Sequence, residues 1–140
     1  MKDIELLKEK IIKYFKNKKG IIAVYLFGSY AKGKECHSSD IDIGILLDRN
    51  HLEYQEHKKT IIKKSIMELG RILRNDIHPV ILNSAGEELL RQIFSNGKCL
   101  LINDPEELSR FKMVMFSRIT DFAYYRDKMQ SGLIKKVTKG

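Results

Sequence analysis

Asp40 and Asp42 stand one residue apart at the head of an apolar run, Ile41 to Leu47, and the apolar run before it, Ile21 to Phe27, stops at a Gly28-Ser29 pair. If the second run is a strand, side-chain alternation turns both carboxylates to one face, about 6.5 to 7 Å apart along it. Glycine lets the backbone turn sharply and lets a phosphate approach without a Cβ in the way. Ser29 adds a hydroxyl and a backbone N–H at the start of a turn, and such N–H groups favour anions. Two carboxylates on one face beside such a turn suit a hard divalent cation that bridges nucleotide phosphates.

Taken singly, each element is ordinary. A Gly-Ser after a strand is most often a turn, and a strand aspartate can cap a turn or pair with a nearby Lys or Arg. Their coincidence is harder to set aside, because Asp42 is flanked by Ile41 and Ile43, where a carboxylate without a cation or donors is costly. A metal site wants a third carboxylate. Asp76, directly before the apolar run Ile77 to Leu82, is the best placed, with Asp48 and Glu35 as loop-like alternatives. Lys32 and Lys34 could reach triphosphate oxygens as point charges, or be ordinary loop lysines. His37 reads as a loop histidine, and His51, His57 and His78 show no metal-ligand spacing. Cys36 has no flanking base that would make it a nucleophile. Tyr124-Tyr125-Arg126 fits either an interface or the edge of a core.

The elements that must position these residues follow from periodicity. Asp3 caps a helix over about residues 4–18, with Ile4, Leu7, Ile11, Tyr14 and Phe15 at helical spacing and Gly20 as its stop. Ile21 to Phe27 and Ile41 to Leu47 are strands, the first so evenly apolar that both its faces should be covered. Residues 52–74 form a long helix whose buried stripe is Ile61, Ile62, Ile66, Leu69 and Leu73. Pro79 makes Ile77 to Leu82 an edge strand. Ser84 to Glu87 reads as a capping box for a helix carrying Leu89, Leu90, Ile93 and Phe94 and stopping near Gly97. Cys99 to Ile102 adds a short strand. Asp104-Pro105-Glu106-Glu107 caps a last helix to about residue 129, with Leu108, Phe111, Met115, Ile119, Phe122 and Met129 on one stripe. The order predicts an α/β fold, a small mixed sheet with flanking helices, in a single domain over residues 1–130 followed by a basic flexible tail, 131–140.

A chain of 140 residues can bury a core of its own. It has no apolar run near the roughly 20 residues of a membrane span, and its acidic start, Met1-Lys2-Asp3-Ile4-Glu5, is unlike a signal peptide. Two cysteines, Cys36 and Cys99, form no framework, so the expected compartment is the reducing cytoplasm. The net charge of +8 could steer nucleotides, nucleic acid or an acidic partner. No base-stacking aromatic pattern accompanies the lysines, so a nucleic-acid surface is not expected.

Gly28-Ser29, ten residues (30–39), then Asp40-Ile41-Asp42 resembles the signature of the DNA polymerase β-like nucleotidyltransferase superfamily. Within it the chain looks most like the minimal nucleotidyltransferases of the MntA-type antitoxins, encoded beside HEPN-domain (HepT-type) ribonuclease toxins. The likeness extends to Asp76-Ile77-His78-Pro79-Val80-Ile81-Leu82-Asn83 and to Leu90 through Lys98, and covers most of residues 5–128. It implies a nucleotidyltransferase fold in which Gly28 and Ser29 hold the β- and γ-phosphates of ATP, and Lys32 joins them as a candidate nucleotide-binding residue. Asp40, Asp42 and Asp76 would be the catalytic carboxylates and the ligands of two Mg²⁺ ions. The implied reaction is adenylylation of a tyrosine hydroxyl of the partner toxin, releasing pyrophosphate and blocking the ribonuclease. Two other readings compete: transfer to a small hydroxyl compound such as an aminoglycoside, for which the chain has little room for a substrate domain, and a non-catalytic antitoxin that neutralises its partner by contact. The second gives no reason to keep costly carboxylates together.

Overall fold

The computed structural model describes residues 4–31, 40–51 and 53–131, with side chains as far as residue 118. Asp3, the loop bearing Lys32, Lys34, Glu35, Cys36 and His37, the side chains of Tyr124, Tyr125 and Arg126, and the tail from residue 132 therefore lie outside the described residues. The chain divides into a compact unit, Met1–Leu108, and a second, Ser109–Gly140.

In the first unit α1 (Ile4–Phe15) leads into β1 (Ile21–Phe27), which pairs antiparallel with β2 (Ile41–Leu47). A helical segment follows as α2 (Tyr54–Lys64), a π-helical turn (Ser65–Leu69) and α3 (Gly70–Leu73). Then come β3 (Ile77–Ile81), a 3₁₀ turn (Leu82–Ser84), α4 (Glu87–Asn96) and β4 (Lys98–Ile102). Among the described residues the sheet has four strands in the order β3-β2-β1-β4, with only the β2–β3 pair parallel. α5 (Pro105–Ser131) starts in this unit and runs on through the second. The side chain of Asp104 accepts the Glu107 N–H at 3.2 Å, the cap expected from its sequence.

The sheet is covered on both faces. Val24, Leu26, Ile41, Ile43 and Ile45 pack in one cluster with Leu7, Ile11 and Phe15 of α1 and Ile61, Leu69 and Leu73 of the helical segment. On the opposite face Tyr25 meets Phe94 of α4 edge to face, with ring centres 5.1 Å apart. Burying an isoleucine side chain is worth about 1.5–3 kcal/mol, so the strands flanking the polar loop are held firmly at their centres. β3 is an edge strand, as Pro79 requires, and its parallel register runs unbroken past the proline.

Three expectations are corrected. α1 ends at Phe15, not near residue 18, because nothing beyond Phe15 gains burial by staying helical. In the second helical segment the π turn shifts the helical phase by one residue. Ser65 takes the buried position (0% exposed), while Ile66, expected in the stripe, is 48% exposed. Ser84 belongs to the 3₁₀ turn, and the residue preceding α4 is Gly86, with no side-chain cap.

At the sheet end remote from Asp42, Gly20 (φ +79°) faces two histidines, and a Cβ on it would stand 2.7 Å from His57 Cε1 and 2.9 Å from His51 Cδ2. The two rings lie 4.7 Å apart, and both Nδ1 atoms are buried without a hydrogen-bond partner. Burial first, and His51 second, hold the His57 imidazole below its usual value of 6.5. The unfolded chain therefore binds the proton more readily, and stability must fall as pH drops below that value. Thermal unfolding between pH 7.5 and 5.5 should show a falling midpoint in the wild-type chain and a shallower fall in His57→Phe; equal slopes would contradict the assignment.

Candidate active site

β1 delivers the chain to Gly28, whose φ of +73° is a left-handed conformation that L side chains rarely adopt. Space makes the same demand. A Cβ there would run into Asp42 Oδ2 and lie 3.1 Å from Asp42 Cγ. The cause is the antiparallel register, which sets Phe27 opposite Asp42 and brings the backbone turn onto the carboxylate. Residues 28–31 form the turn, half-exposing Ser29 while Tyr30 (2% exposed) and Ala31 are buried in the core. Tyr30 thus anchors the turn from below, and its hydroxyl accepts a 2.8 Å hydrogen bond from Asn75 Nδ2.

Asp42 projects from the face of β2 opposite the fully buried Ile41 and Ile43 and keeps 24% of its side chain exposed. Its Oδ1 lies 2.9 Å from His78 Nδ1, because the parallel β2–β3 register pairs Asp42 with His78. One step earlier, Ile41 pairs with Ile77 and its N–H donates to the Asp76 carbonyl at 2.9 Å. Asp40 and Asp76, both exposed, therefore open neighbouring parallel strands, about 4.8 Å apart. Asp40, Asp42 and Asp76 gather at one end of the sheet. Asp48 follows β2 at the other end and cannot join them.

Three carboxylates supply only oxygen donors, the set a hard cation such as Mg²⁺ prefers. Chemically the residues fit the ion. Their present arrangement is open: among the described residues no three His, Cys, Asp or Glu side chains converge as a metal-holding group. Asp42 Oδ1 faces His78 instead, and would have to leave it to face a cation.

Next to Gly28 lies a cavity of about 320 Å³ lined by Phe27, Gly28, Gln92, Asn96 and Gly97. A Cβ on Gly97 would collide with the Ile93 carbonyl and lie 3.2 Å from that of Leu26, so glycine lets the end of α4 approach β1.

A small mixed sheet carrying a glycine turn against a strand carboxylate, with further carboxylates at the same end, has the architecture of a nucleotide-transferring enzyme. The chain belongs to the polymerase β nucleotidyltransferase family: residues 9–106 match the family described as Polymerase beta, Nucleotidyltransferase. Members of this family generally use ATP and a divalent metal. The protein adenylyltransferase MntA of Shewanella oneidensis is 35% identical over 101 residues, 69% of this chain and 66% of that protein. Among solved structures, a chain of a toxin–antitoxin complex with AMP-PNP superposes with a TM-score of 0.68 at 26% identity, covering 91% of this chain and 98% of the other. A chain of the tri-AMPylated Shewanella oneidensis HEPN toxin in complex with MNT antitoxin gives a TM-score of 0.65 at 25% identity, covering 94% and 99%.

The structure places Gly28, Ser29, Asp40, Asp42 and Asp76 at one end of the sheet; Lys32 lies outside the described residues. Sequence reasoning missed His78, and also the Tyr30–Asn75 bridge that ties the glycine turn to the strand opened by Asp76. A signal for His78 was present, since it stands two residues after Asp76 and so on the same strand face. Gly28→Ala should lower stability by about 1–2 kcal/mol from the left-handed backbone alone, and by more as Asp42 is displaced. Urea unfolding checks this, and a wild-type midpoint would contradict the contact.

Proposed function

We propose that this chain is an antitoxin that transfers AMP from ATP to a tyrosine hydroxyl of a HEPN-type ribonuclease toxin and so inactivates it, acting in the cytoplasm. The observation that carries the reading is the backbone of Gly28 lying directly against the Asp42 carboxylate. A triphosphate resting on the turn would then have its α-phosphorus near the carboxylates. The relatives support the acceptor, since one is named a protein adenylyltransferase and another is an antitoxin in complex with an AMPylated HEPN toxin.

In this reading Gly28 and Ser29 receive the terminal phosphates, and Lys32 adds a positive charge to them. Asp40, Asp42 and Asp76 hold two Mg²⁺ ions, which when bound neutralise charge building on the attacking and leaving oxygens. The acceptor oxygen bonds to the α-phosphorus, the bond from that phosphorus to the bridging oxygen breaks, and pyrophosphate leaves. Asp76, which directly precedes the edge strand β3, helps to activate the incoming hydroxyl. Residues 1–130 form the catalytic domain and 131–140 its basic tail.

The test is intact-mass analysis of the co-expressed HEPN partner after incubation with ATP and Mg²⁺. One or more added AMP groups are expected with the wild-type chain, none with EDTA. Asp42→Asn, which keeps the volume against Gly28, should slow transfer by roughly a hundredfold or more. Toxin neutralised without added mass would favour inhibition by contact, and pyrophosphate release that needs only a small hydroxyl compound would favour the other acceptor class.

A further inference from the structure

His78 has no part in the chemistry above, yet its ring lies against one of the carboxylates. We propose that His78 is a further ligand of the divalent ion at Asp42, a nitrogen donor that turns the site from Mg²⁺ toward transition ions such as Mn²⁺ and Co²⁺; this rests on the nucleotidyltransferase reading.

The parallel register sets His78 beside Asp42, and Asp76 and Asp40 stand two residues earlier on the same two segments. Alternation gives Asp76 and His78 one face, as it does Asp40 and Asp42. Three carboxylates and one imidazole therefore mark the corners of a single patch at this end of the sheet. Pro79 fixes where the imidazole starts, because a proline holds the residue before it in extended backbone. The His78 side chain itself is 62% exposed, so its ring can turn without giving up packing.

His78 Nδ1 lies 2.9 Å from Asp42 Oδ1. Two adjacent ligands of an octahedral ion with bonds of about 2.0–2.1 Å also stand roughly 2.9 Å apart. A cation that draws Oδ1 from the ring thus meets Nδ1 at the spacing of its next ligand. The neutral ring carries one N–H proton, and with that proton on Nε2 the Nδ1 atom offers a lone pair. The metal preference follows from the donor type. Oxygen ligands suit Mg²⁺, whereas imidazole suits transition ions, whose affinity for mixed nitrogen and oxygen sites rises from Mn²⁺ to Co²⁺.

The rival role for His78 is a hydrogen bond that only orients Asp42. His78→Asn separates the two, since its amide N–H replaces the Nδ1 donor while its nitrogen has no lone pair for a metal. Calorimetry with the tripolyphosphate complexes of Co²⁺ and Mg²⁺ reads the preference on the full chain. His78→Asn should lower the Co²⁺-to-Mg²⁺ affinity ratio by about tenfold or more, with Mg²⁺ affinity nearly unchanged. With Mn²⁺ tripolyphosphate, which contains no nitrogen, spin-echo spectra should show a directly bound nitrogen in the wild-type chain and none in His78→Asn. An unchanged ratio, or a wild-type spectrum without that nitrogen, overturns the proposal. If the wild-type chain binds none of the three complexes, or Asp42→Asn binds them equally well, the nucleotidyltransferase reading itself falls, and this inference with it.

Discussion

The structure depends on one contact, the backbone of Gly28 against the carboxylate of Asp42. Asp42 stands on a strand between two fully buried isoleucines but points to the opposite face, where both of its oxygens have neighbours. Oδ2 abuts the glycine turn and Oδ1 faces the His78 ring at 2.9 Å. Any side chain at position 28 would displace the carboxylate, and any slip of the β1–β2 register would separate it from the turn, since a one-residue slip sends a side chain to the other face. Phosphate-binding turn and carboxylate are therefore set by the same backbone pairing.

The surrounding chain stiffens that pairing. Asp42 and His78 stand on strands, and Asp40 and Asp76 immediately precede them, so the carboxylates share the positional precision of the sheet. Tyr30 reaches from the turn into the core and receives a hydrogen bond from Asn75, coupling the glycine turn to the strand that Asp76 opens. At the far end Asn83 accepts the Leu47 N–H and donates to the Leu47 carbonyl, while Asn103 donates to the Ile21 carbonyl. The side-chain amides of Asn75, Asn83 and Asn103 thus tie neighbouring segments together at both ends of the sheet.

What could be read from sequence followed from local physics. β1 and β2 were legible residue for residue, because each is a predominantly apolar run bounded by polar segments. The edge position of β3 was written in Pro79. Gly28, Ser29, Asp40, Asp42 and Asp76 were legible as candidates because spacing and alternation are local properties. The parallel pairing that puts His78 on Asp42 was not, since it joins residues 36 apart that no periodicity links. The π turn was equally hidden: Ile66 fits a regular helical stripe, and only packing against the sheet reveals that Ser65 takes its place. Ser84 looked like a helix cap because the capping-box pattern recurs by chance in a polar turn.

The central claim is that the Gly28 turn and the aspartates act together as one metal-dependent nucleotide site. The most direct measurement is calorimetric binding of ATP, with and without Mg²⁺, to the wild-type chain and to the double variant Asp40→Asn/Asp42→Asn. The account predicts binding that requires the metal and is lost in the double variant. ATP binding that is indifferent to both the metal and the two substitutions would contradict it.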